Sequence, residues 1–294
     1  MEATADILER ISTINANNGI NDRGFKDGGD SISVHKILGT LFAPFDADAI
    51  SQRLYSKYHN DQNSPYYGKT AEDIKDMWKQ SGARSIGIGQ RVGDTISYFF
   101  SLLKDTTTPI DEQRRILDKA IRRIDVNEFN EAWMPEWKGY YRGCMNSFFE
   151  YLRSLNGTDW ELIGTEVPMY DPINNILGRA DCILRQGEHL VLIDWKTDQE
   201  ISTMNKFQKM LGPMRGYQDT KLNKYTMQVY LYIWMMQNVY QIDSPIEAII
   251  VKLNATPEGD TIEEPTIFEP NIPYESEDMD DVIEYAITQI SSEN

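Results

Sequence analysis

The order of apolar and polar residues divides the chain into a helical first half and a mixed second half. In the first half apolar residues recur every three to four positions, the spacing of helices with one buried face. Residues 1–32 hold one short helical pattern followed by a Gly-, Asn- and Asp-rich stretch, which predicts a flexible lead-in. Further helices are predicted at "VHKILGTLF" after a Ser33 cap, at "TAEDIKDMWKQSG" between a Thr70 cap and a Gly82 stop, at "IGIGQRVGDTISYFFSLL", at 111–125 and at 139–155.

The second half changes to segments rich in β-forming residues. "WELIGTEVPMYD", "NILGRADCILR" and "HLVLIDWKT" predict three strands, separated by turn residues at 171–172 and 186–187. A helix at about 220–239 is apolar nearly all round and is therefore expected to be buried. "PIEAIIVKLNA" predicts another strand, and a last helix lies near 277–291. The order predicts an α/β fold with a central mixed sheet flanked by helices, plus an N-terminal helical region.

One predicted strand, "HLVLIDWKTD" at residues 189–198, carries charges in an otherwise apolar run. Side chains alternate along a strand, so Asp194 and Lys196 point to the same face. A strand that is apolar on both faces is central and buried, and burying an unpaired charge costs several kcal/mol or more. The pair is therefore either a structural ion pair or part of a functional site.

Composition limits the classes of protein that fit. The chain has 294 residues, 40% of them hydrophobic, and a net charge of −17, which argues against a general nucleic-acid coat. A nucleic-acid enzyme remains possible because binding needs only a local basic surface. The longest apolar runs are shorter than the roughly 18 residues that span a bilayer, so no membrane partner is expected.

The cysteine content and the N-terminal segment predict an intracellular, cytoplasmic protein. Two cysteines, Cys144 and Cys182, give neither a disulfide framework nor an iron–sulfur cluster. A reducing location follows as the default expectation. The acidic N-terminal segment lacks the charged and apolar regions of a signal peptide.

Three acidic residues and a lysine fall on the three predicted strands. Asp181 and Asp194 would approach if the register of their antiparallel strands allows, since neighbouring strands lie about 4.8 Å apart. Two such carboxylates repel unless a cation lies between them, and oxygen ligands select Mg²⁺ or Mn²⁺. With Glu166 on the preceding strand and Lys196 beside them, the set predicts metal-assisted phosphodiester hydrolysis. A structural carboxylate–lysine network remains the alternative.

"GRADCILRQGEHLVLIDWKTD" resembles the core of the PD-(D/E)XK nuclease superfamily, and within it the RecB-type exonuclease branch. That branch includes mitochondrial genome maintenance exonuclease and many phage and large-virus nucleases. Its G-x-x-D strand and its apolar strand ending in D-x-K match Gly178, Asp181, Asp194 and Lys196. Its preceding glutamate matches Glu166, and its helical Q-x-x-x-Y matches Gln228 and Tyr232, with Tyr225 one turn earlier.

The resemblance implies a restriction-endonuclease-like core at 159–294, with residues 33–158 as a helical wall of a DNA groove after the 1–32 lead-in. It implies a DNA exonuclease that uses Mg²⁺ or Mn²⁺ and acts on DNA with a free end. The metal would be bound by Asp181, Asp194, the carbonyl of Trp195 and Glu166. Lys196 would act on the phosphate or the water, and Gln228 and Tyr232 would brace the site. Contacts with DNA would come from Lys206, Lys209, Arg215 and Tyr225.

One position departs from the family pattern. Where the branch has G-T-x-x-H, this chain has Gly89-Gln90-Arg91-Val92-Gly93, so the histidine is absent. Asp94 is adjacent and could lend a carboxylate, while His35, His59 and His189 offer no obvious replacement. The alternative is therefore a weak or inactive nuclease-fold protein with a structural, DNA-packaging or virion-associated role. Protein partners in replication, recombination or packaging, and a host cytoplasm for a viral chain, are compatible with either function.

Overall fold

The computed structural model describes residues 4–21, 24, 26, 30–128, 135–259 and 261–292. Within these residues the chain forms eight α-helices and six strands. The helices are α1 (Thr4–Asn17), α2 (Val34–Thr40), α3 (Ala47–Tyr58), α4 (Ala71–Leu102), α5 (Ile110–Glu128), α6 (Pro135–Leu155), α7 (Lys221–Trp234) and α8 (Ser276–Ser292). The strands are β1 (Ile32–Ser33), β2 (Trp160–Asp171), β3 (Ile176–Gln186), β4 (His189–Lys196), β5 (Ile246–Lys252) and β6 (Thr266–Phe268).

The strands form one mixed sheet. Its order is β1-β3-β4-β5-β6, with β2 on the other side of β3. The β2–β3, β3–β4 and β5–β6 pairs are antiparallel, whereas β1–β3 and β4–β5 are parallel. The expected α/β class with a central mixed sheet is therefore confirmed, and the two short strands β1 and β6 are additions to it.

The connection from β4 to β5 determines where the second-half helix lies. Parallel neighbours cannot be joined by a tight turn and need a crossover over one face of the sheet. Here α7 is that crossover, and it begins where the Thr220 hydroxyl accepts from Asn223 N–H. It continues into one turn of π-helix, Met235–Val239. Nearly all of α7 is buried, as its uniformly apolar sequence predicts.

The two faces of β4 are covered by different helices. Leu190 and Leu192 belong to the main core cluster, which also contains Leu231 of α7 and Val282 of α8. On the opposite face, the Trp195 ring packs edge-on against Phe148 and Tyr151 of α6 at 5.5 and 5.2 Å. The strand is thus enclosed on both faces, and its Asp194 and Lys196 lie on the face that α7 covers.

Residues 4–17 form α1, which is the short helical pattern predicted within residues 1–32. The stretch after it lies partly outside the described residues, and its role as a flexible lead-in stays a prediction. Ile7 and Ile11 of this helix are buried in the main core cluster. Asn15 donates through Nδ2 to the Pro168 carbonyl at 2.8 Å, and its Oδ1 accepts from the Tyr240 hydroxyl at 2.7 Å. The apolar pattern of this short helix could not predict which part of the chain it would pack against.

Two other local predictions are corrected by the backbone. Gly82 does not end a helix, since α4 runs from Ala71 to Leu102. A helical glycine costs only about 1 kcal/mol relative to alanine, which the neighbouring turns of this helix offset. The turn between β3 and β4 consists of Gly187 and Glu188, one position later than expected, with Gly187 at φ +60°.

The chain divides into two compact units that differ from the predicted domains. One comprises Met1–Ala43 and Arg91–Asn294, and the other Pro44–Gln90. In the smaller unit the Asp46 side chain caps α3, and Lys75 Nζ pairs with Asp48 at 2.9 Å and with Glu72 at 2.8 Å. The division at 32/33 and 158/159, and the wall of a DNA groove at 33–158, stay predictions.

Across the described residues, no helix combines the length and the apolar character that crossing a bilayer requires.

The burial of α1 can be tested by truncating one side chain. We expect Ile11→Ala to lower the free energy of unfolding by about 2–4 kcal/mol, because it opens a cavity in the core. Urea denaturation measures this difference. Ile173→Ala is the matched control, since Ile173 is 88% exposed and its truncation should change stability by less than about 0.5 kcal/mol. Equal effects in the two variants would contradict the packing of α1.

Candidate active site

The site lies where β3 and β4 separate. Their ladder runs from Gln186↔His189 to Cys182↔Ile193 and then stops. The next opposing positions are Asp181 and Asp194, which share the face covered by α7 because opposing residues of paired strands point to one face. Farther along, β1 pairs only with Ile176 and Leu177 of β3. Among the described strands, none therefore pairs with residues 178–181 on this side of β3.

Side chains occupy the opening between the strands. The N–H of Arg179 donates to the Tyr232 hydroxyl at 3.2 Å, and the N–H of Trp195 donates to Asp181 Oδ2 at 2.9 Å. Both contacts replace backbone pairing that a continuous ladder would have supplied, and buried N–H groups require such a partner. Asp181 and Tyr232 are thus fixed by the same break in the sheet.

A buried ion pair lies inside this opening. Lys196 Nζ is 2.9 Å from Asp194 Oδ1 and 2.8 Å from Oδ2, and the two side chains are only 15% and 3% exposed. From α7, Gln228 Oε1 accepts from the same ammonium at 3.3 Å, and the Tyr225 ring centroid lies 4.3 Å from it. Residues 225, 228 and 232 lie about one helical turn apart, so α7 presents all three to the site.

The ammonium of Lys196 is kept charged. Burial alone lowers the pKa of a lysine, but the carboxylates of Asp194 and Asp181 outweigh it and hold the pKa of Lys196 above its ordinary value. A charged lysine with a small exposed fraction can act on an anion that enters the opening.

The two aspartates have an unmet demand for positive charge. Burial raises the pKa of Asp181 and of Asp194, and each remains raised although Lys196 opposes the effect. Asp181 also raises the pKa of Asp194 directly, as a like charge does. Asp194 Oδ2 touches the ammonium yet receives no hydrogen bond of acceptable geometry from the described residues.

These donors fit a hard divalent cation in chemical type. Carboxylate oxygens are the ligands that Mg²⁺ and Mn²⁺ prefer, and a cation would relieve the repulsion between Asp181 and Asp194. Within the described residues, however, no group of three or more His, Cys, Asp or Glu side chains is arranged to hold a metal. The side chains thus supply two ligands, and the third predicted carboxylate has another partner.

That third carboxylate is Glu166. It stands opposite Asp181 in the β2–β3 register, between the pairs Thr165↔Cys182 and Val167↔Ala180. Its φ of +51° is a left-handed conformation that non-glycine residues rarely adopt, and it interrupts the ladder. Its Oε2 pairs with Arg179 Nε at 2.7 Å. The strained backbone and this ion pair together set the direction of the Glu166 carboxylate.

Glu166 also marks where the absent family histidine would have been. A Cβ built on Gly93 of α4 would lie 3.1 Å from Glu166 Oε1, so this position of α4 borders the site. Burial, with Asp181 next, raises the pKa of Glu166 to about 7, and Asp94 adds to the effect. Burial likewise raises the pKa of Asp94, against the opposing charges of Arg179 and Arg91. Asp94 is therefore close enough to act on this end of the site.

His35 is a site residue that sequence reasoning missed. It lies in the first turn of α2, two positions after β1 pairs in parallel with β3, which carries the chain toward the level of Asp181. Partial burial is the main cause that lowers the pKa of His35, and the charges of Lys196 and Lys224 lower it further. The charge of Asp181 acts in the opposite direction. The imidazole is thus neutral at pH 7 and within electrostatic range of the ion pair. The Ser33 cap predicted α2, but only the tertiary pairing of β1 brings α2 here.

Gly178 is explained by close packing. A Cβ at this position would lie 2.6 Å from Tyr232 Cε1 and 2.6 Å from Val34 Cγ2. Both neighbours are buried, at 3% and 1% exposure, so neither can turn aside. The glycine of the G-x-x-D pattern therefore lets α7 approach the opening between the strands.

The predicted DNA contacts lie in different surroundings. Tyr225 belongs to the site itself, and its hydroxyl donates to Asp198 Oδ2 at 2.7 Å. Lys206 and Lys209 are exposed on the segment that joins β4 to α7. Arg215 is exposed too, but it lines a cleft with Asp281 and Glu284 of α8, where acidic neighbours disfavour a phosphate.

A family model described as the PD-(D/E)XK nuclease superfamily matches residues 66–292. The match covers most of the chain and includes β2 to β5 and α7, so the protein belongs to the PD-(D/E)XK nuclease superfamily. The RecB-type branch and the likeness to phage and large-virus nucleases stay predictions. None of the curated proteins compared with the chain matches it.

A solved structure is also similar to part of the chain. It is a crystal structure of a protein from Eubacterium rectale named "Putative exonuclease", with 12% sequence identity and a TM-score of 0.36. The similarity covers 84% of this chain and 82% of that one. A similarity this weak carries no argument about activity.

The close packing at Gly178 predicts a large effect of one methyl group. We expect Gly178→Ala to lower the free energy of unfolding by about 1–3 kcal/mol, because Tyr232 or Val34 must shift. The matched control is Gly82→Ala, since nothing lies within 4 Å of a Cβ there and alanine favours a helix. Urea denaturation of both variants would refute this account if they proved equally stable.

The raised pKa of Glu166 predicts how stability changes with pH. The unfolded chain releases this proton near 4.5 and the folded chain near 7, so the folded state binds more protons between these values. Stability from this group is present below pH 4.5 and is lost as the pH rises toward 7. The free energy of unfolding of Glu166→Gln, relative to that of wild type, should therefore rise by about 1–3 kcal/mol as the pH increases from 5 to 8.

Urea denaturation in EDTA at both pH values measures that gain. Glu188→Gln, in the exposed β3–β4 turn, is the control and should follow wild type. A constant difference between Glu166→Gln and wild type across the range would show that the carboxyl titrates normally.

Proposed function

We propose that this member of the nuclease superfamily is a metal-dependent DNA nuclease acting through Asp181, Asp194 and Lys196. The observation that carries the proposal is the opening between β3 and β4. It contains two buried carboxyl groups with raised pKa values and, beside them, a charged ammonium. A purely structural ion pair needs one carboxylate, whereas Asp181 brings a second carboxylate near Asp194 and raises its pKa.

Lys196 is the residue proposed to act on the substrate. Its charge would stabilise the negative charge that develops on the phosphate oxygens, or hold the attacking water. Gln228 and the Tyr225 ring fix the direction of the ammonium, at 3.3 Å from Oε1 and 4.3 Å from the ring centroid. Tyr232 fixes the backbone of Arg179, two residues before Asp181.

Asp181, Asp194 and the Trp195 carbonyl would hold Mg²⁺ or Mn²⁺. Within a strand the N–H and C=O of one residue point to the same side, so the Trp195 carbonyl faces the opening that its N–H enters. Glu166 could join them if it exchanged Arg179 for the cation. When bound, such an ion lowers the pKa of water and neutralises charge on the phosphate.

The substrate proposed is DNA with a free end, and the reaction exonucleolytic. This part rests on the resemblance to the RecB-type branch stated for the residues of β3, β4 and α7. Lys206 and Lys209 would hold the phosphate backbone, whose contacts supply affinity and not sequence preference. Arg215 is the weakest of the proposed contacts because Asp281 and Glu284 lie in the same cleft.

A second candidate is a nuclease-fold protein with little or no activity and a structural, DNA-packaging or virion-associated role. Gly93 favours it, because this position borders Glu166 and carries no side chain that could bind a metal. The pairing of Glu166 with Arg179 favours it too.

The test is a cleavage assay with Mn²⁺ on end-labelled linear DNA and on closed circular DNA. Wild type should degrade the linear substrate and spare the circle. Asp194→Asn and Lys196→Met should lower the rate at least about a hundredfold, since the first weakens a proposed metal ligand and the second removes the cation that acts on the phosphate. Asp243→Asn and Lys104→Ala, at exposed sites, are the matched controls.

Circular dichroism of each variant establishes that it is folded, since breaking a buried ion pair costs about 3–5 kcal/mol. Cleavage that survives both site substitutions would refute the assignment of the site. DNA binding with no cleavage by wild type would favour the inactive candidate.

A further inference from the structure

An exposed aromatic residue stands on the segment that joins the site's strand to the site's helix. This segment, residues 197–220, leaves β4 directly after Lys196 and enters α7 one turn before Tyr225. Its two ends are tied together at the site. Lys221 N–H donates to Ser202 Oγ at 3.0 Å, and Lys221 Nζ is 2.7 Å from Asp198 Oδ1. Whatever its outer part binds is therefore connected to the active site by short, hydrogen-bonded stems.

The outer turn of this segment, residues 203–209, is held in one conformation. Asn205 Oδ1 accepts from the N–H groups of Phe207 and Gln208 at 3.1 and 3.2 Å, as in an Asx turn. Asn205 Nδ2 donates to the Asp219 carbonyl at 2.8 Å, and the Asn205 N–H donates to Gln218 Oε1 at 2.7 Å. The turn is thus bonded on both sides to the returning strand of the segment.

This fixed turn presents Phe207 to solvent. Phe207 is 97% exposed, and Met204, three positions earlier, is 66% exposed. An isolated exposed apolar residue needs no explanation, but an exposed pair held on a rigid turn does. Folding gains nothing from a phenylalanine in this position, whereas a partner with a flat apolar face would cover it.

Charge identifies the kind of partner. The outer part of the segment, residues 203–218, carries three cations, Lys206, Lys209 and Arg215, and no acid, in a chain of net charge −17. Lys206 immediately precedes Phe207 and Lys209 follows two positions later, so cations flank the ring. A polyanion with flat apolar units fits both features, and single-stranded nucleic acid is such a polymer.

A polar cleft lies beside the turn. It has a volume of about 280 Å³ and is lined by Met204, Lys209, Gln218, Asn223 and Asn271, among others. Asn223 is 4% exposed, and its Oδ1 receives no hydrogen bond from the described residues. A buried acceptor without a donor is costly, and amino groups of nucleobases are suitable donors.

We propose that the 203–209 turn and the cleft beside it form a binding subsite for unpaired nucleotides of DNA, in which Phe207 stacks on a base. Lys206 and Lys209 contact the phosphates on either side of that base, and Asn223 Oδ1 accepts from a neighbouring nucleotide in the cleft. The subsite would hold a frayed or single-stranded end next to Asp181, Asp194 and Lys196. This inference rests on the proposed nuclease function and extends it from phosphate chemistry to the form of the substrate.

The test measures binding of fluorescein-labelled single-stranded oligonucleotides by anisotropy, in the Asp194→Asn background so that no cleavage occurs. Phe207→Ala should weaken binding about five- to a hundredfold, and Phe207→Trp should restore it. An oligonucleotide with abasic positions keeps the phosphates and lacks the bases, so Phe207→Ala should leave its affinity unchanged. Ile173→Ala, at a residue 88% exposed on the β2–β3 turn, is the matched control.

The outcomes separate this inference from the proposed function. If wild type cleaves DNA and Phe207→Ala binds both oligonucleotides as well as its parent, the subsite is wrong and the nuclease stands. If binding depends on Phe207 and on bases while wild type cleaves nothing, the subsite stands and the nuclease is wrong. Equal losses on the base-bearing and abasic oligonucleotides would show that Phe207 acts only on structure, and absence of DNA binding by wild type would overturn both proposals.

Discussion

The constraint on which the rest of the site depends is the charge of Lys196 buried against Asp194. An ammonium under the sheet surface requires a carboxylate, further acceptors and a cover that excludes most water. The parallel pairing of β4 with β5 provides that cover, because it forces the connecting helix α7 across this face of the sheet. Gln228 and Tyr225 are then within reach of the ammonium, and Gly178 lets Tyr232 come close enough to close the opening.

The same constraint produces an asymmetric set of acids. Glu166, Asp181 and Asp194 stand in one row across three strands, yet each meets a different environment. Asp194 is bound by Lys196, Asp181 by the Trp195 N–H, and Glu166 by Arg179 on the side that α4 borders. Like charges this near one another raise each other's pKa. Each carboxylate therefore has a hydrogen-bond donor or cation of its own. Binding of a cation would have to bring these acids together. Among the three, Glu166 is the one with a strained backbone, at φ +51°.

The sequence predicted what local periodicity determines. Strands β2 to β5 and helix α7 follow from alternation, turn residues and an all-apolar helix, and Ser33 and Thr70 cap their helices by the expected contacts. Strand register did not follow, because the turn consists of Gly187 and Glu188 and not of residues 186–187, and it is this position of the turn that sets Asp181 opposite Asp194. Local pattern could not predict the features that depend on tertiary contacts. Strand β1 is only two residues long, and His35 lies near the site only because β1 pairs with β3. The positive φ of Glu166 likewise depends on the residues packed around it. Gly82 misled because glycine weakens a helix without ending it.

The contacts of α1 bear on how much of the chain the fold needs. The family match begins at residue 66, but α1, β1 and α2 precede it and are built into the sheet and its core. A fragment trimmed to the matched span would leave the Tyr240 hydroxyl without Asn15 and the Pro168 carbonyl without its donor, two residues from Glu166. It would also uncover the side of Tyr232 and Gly178 against which Val34 packs. The smallest independently folding unit is thus longer than the span that the family model matches, and an expression fragment designed on that span alone would leave part of the core uncovered.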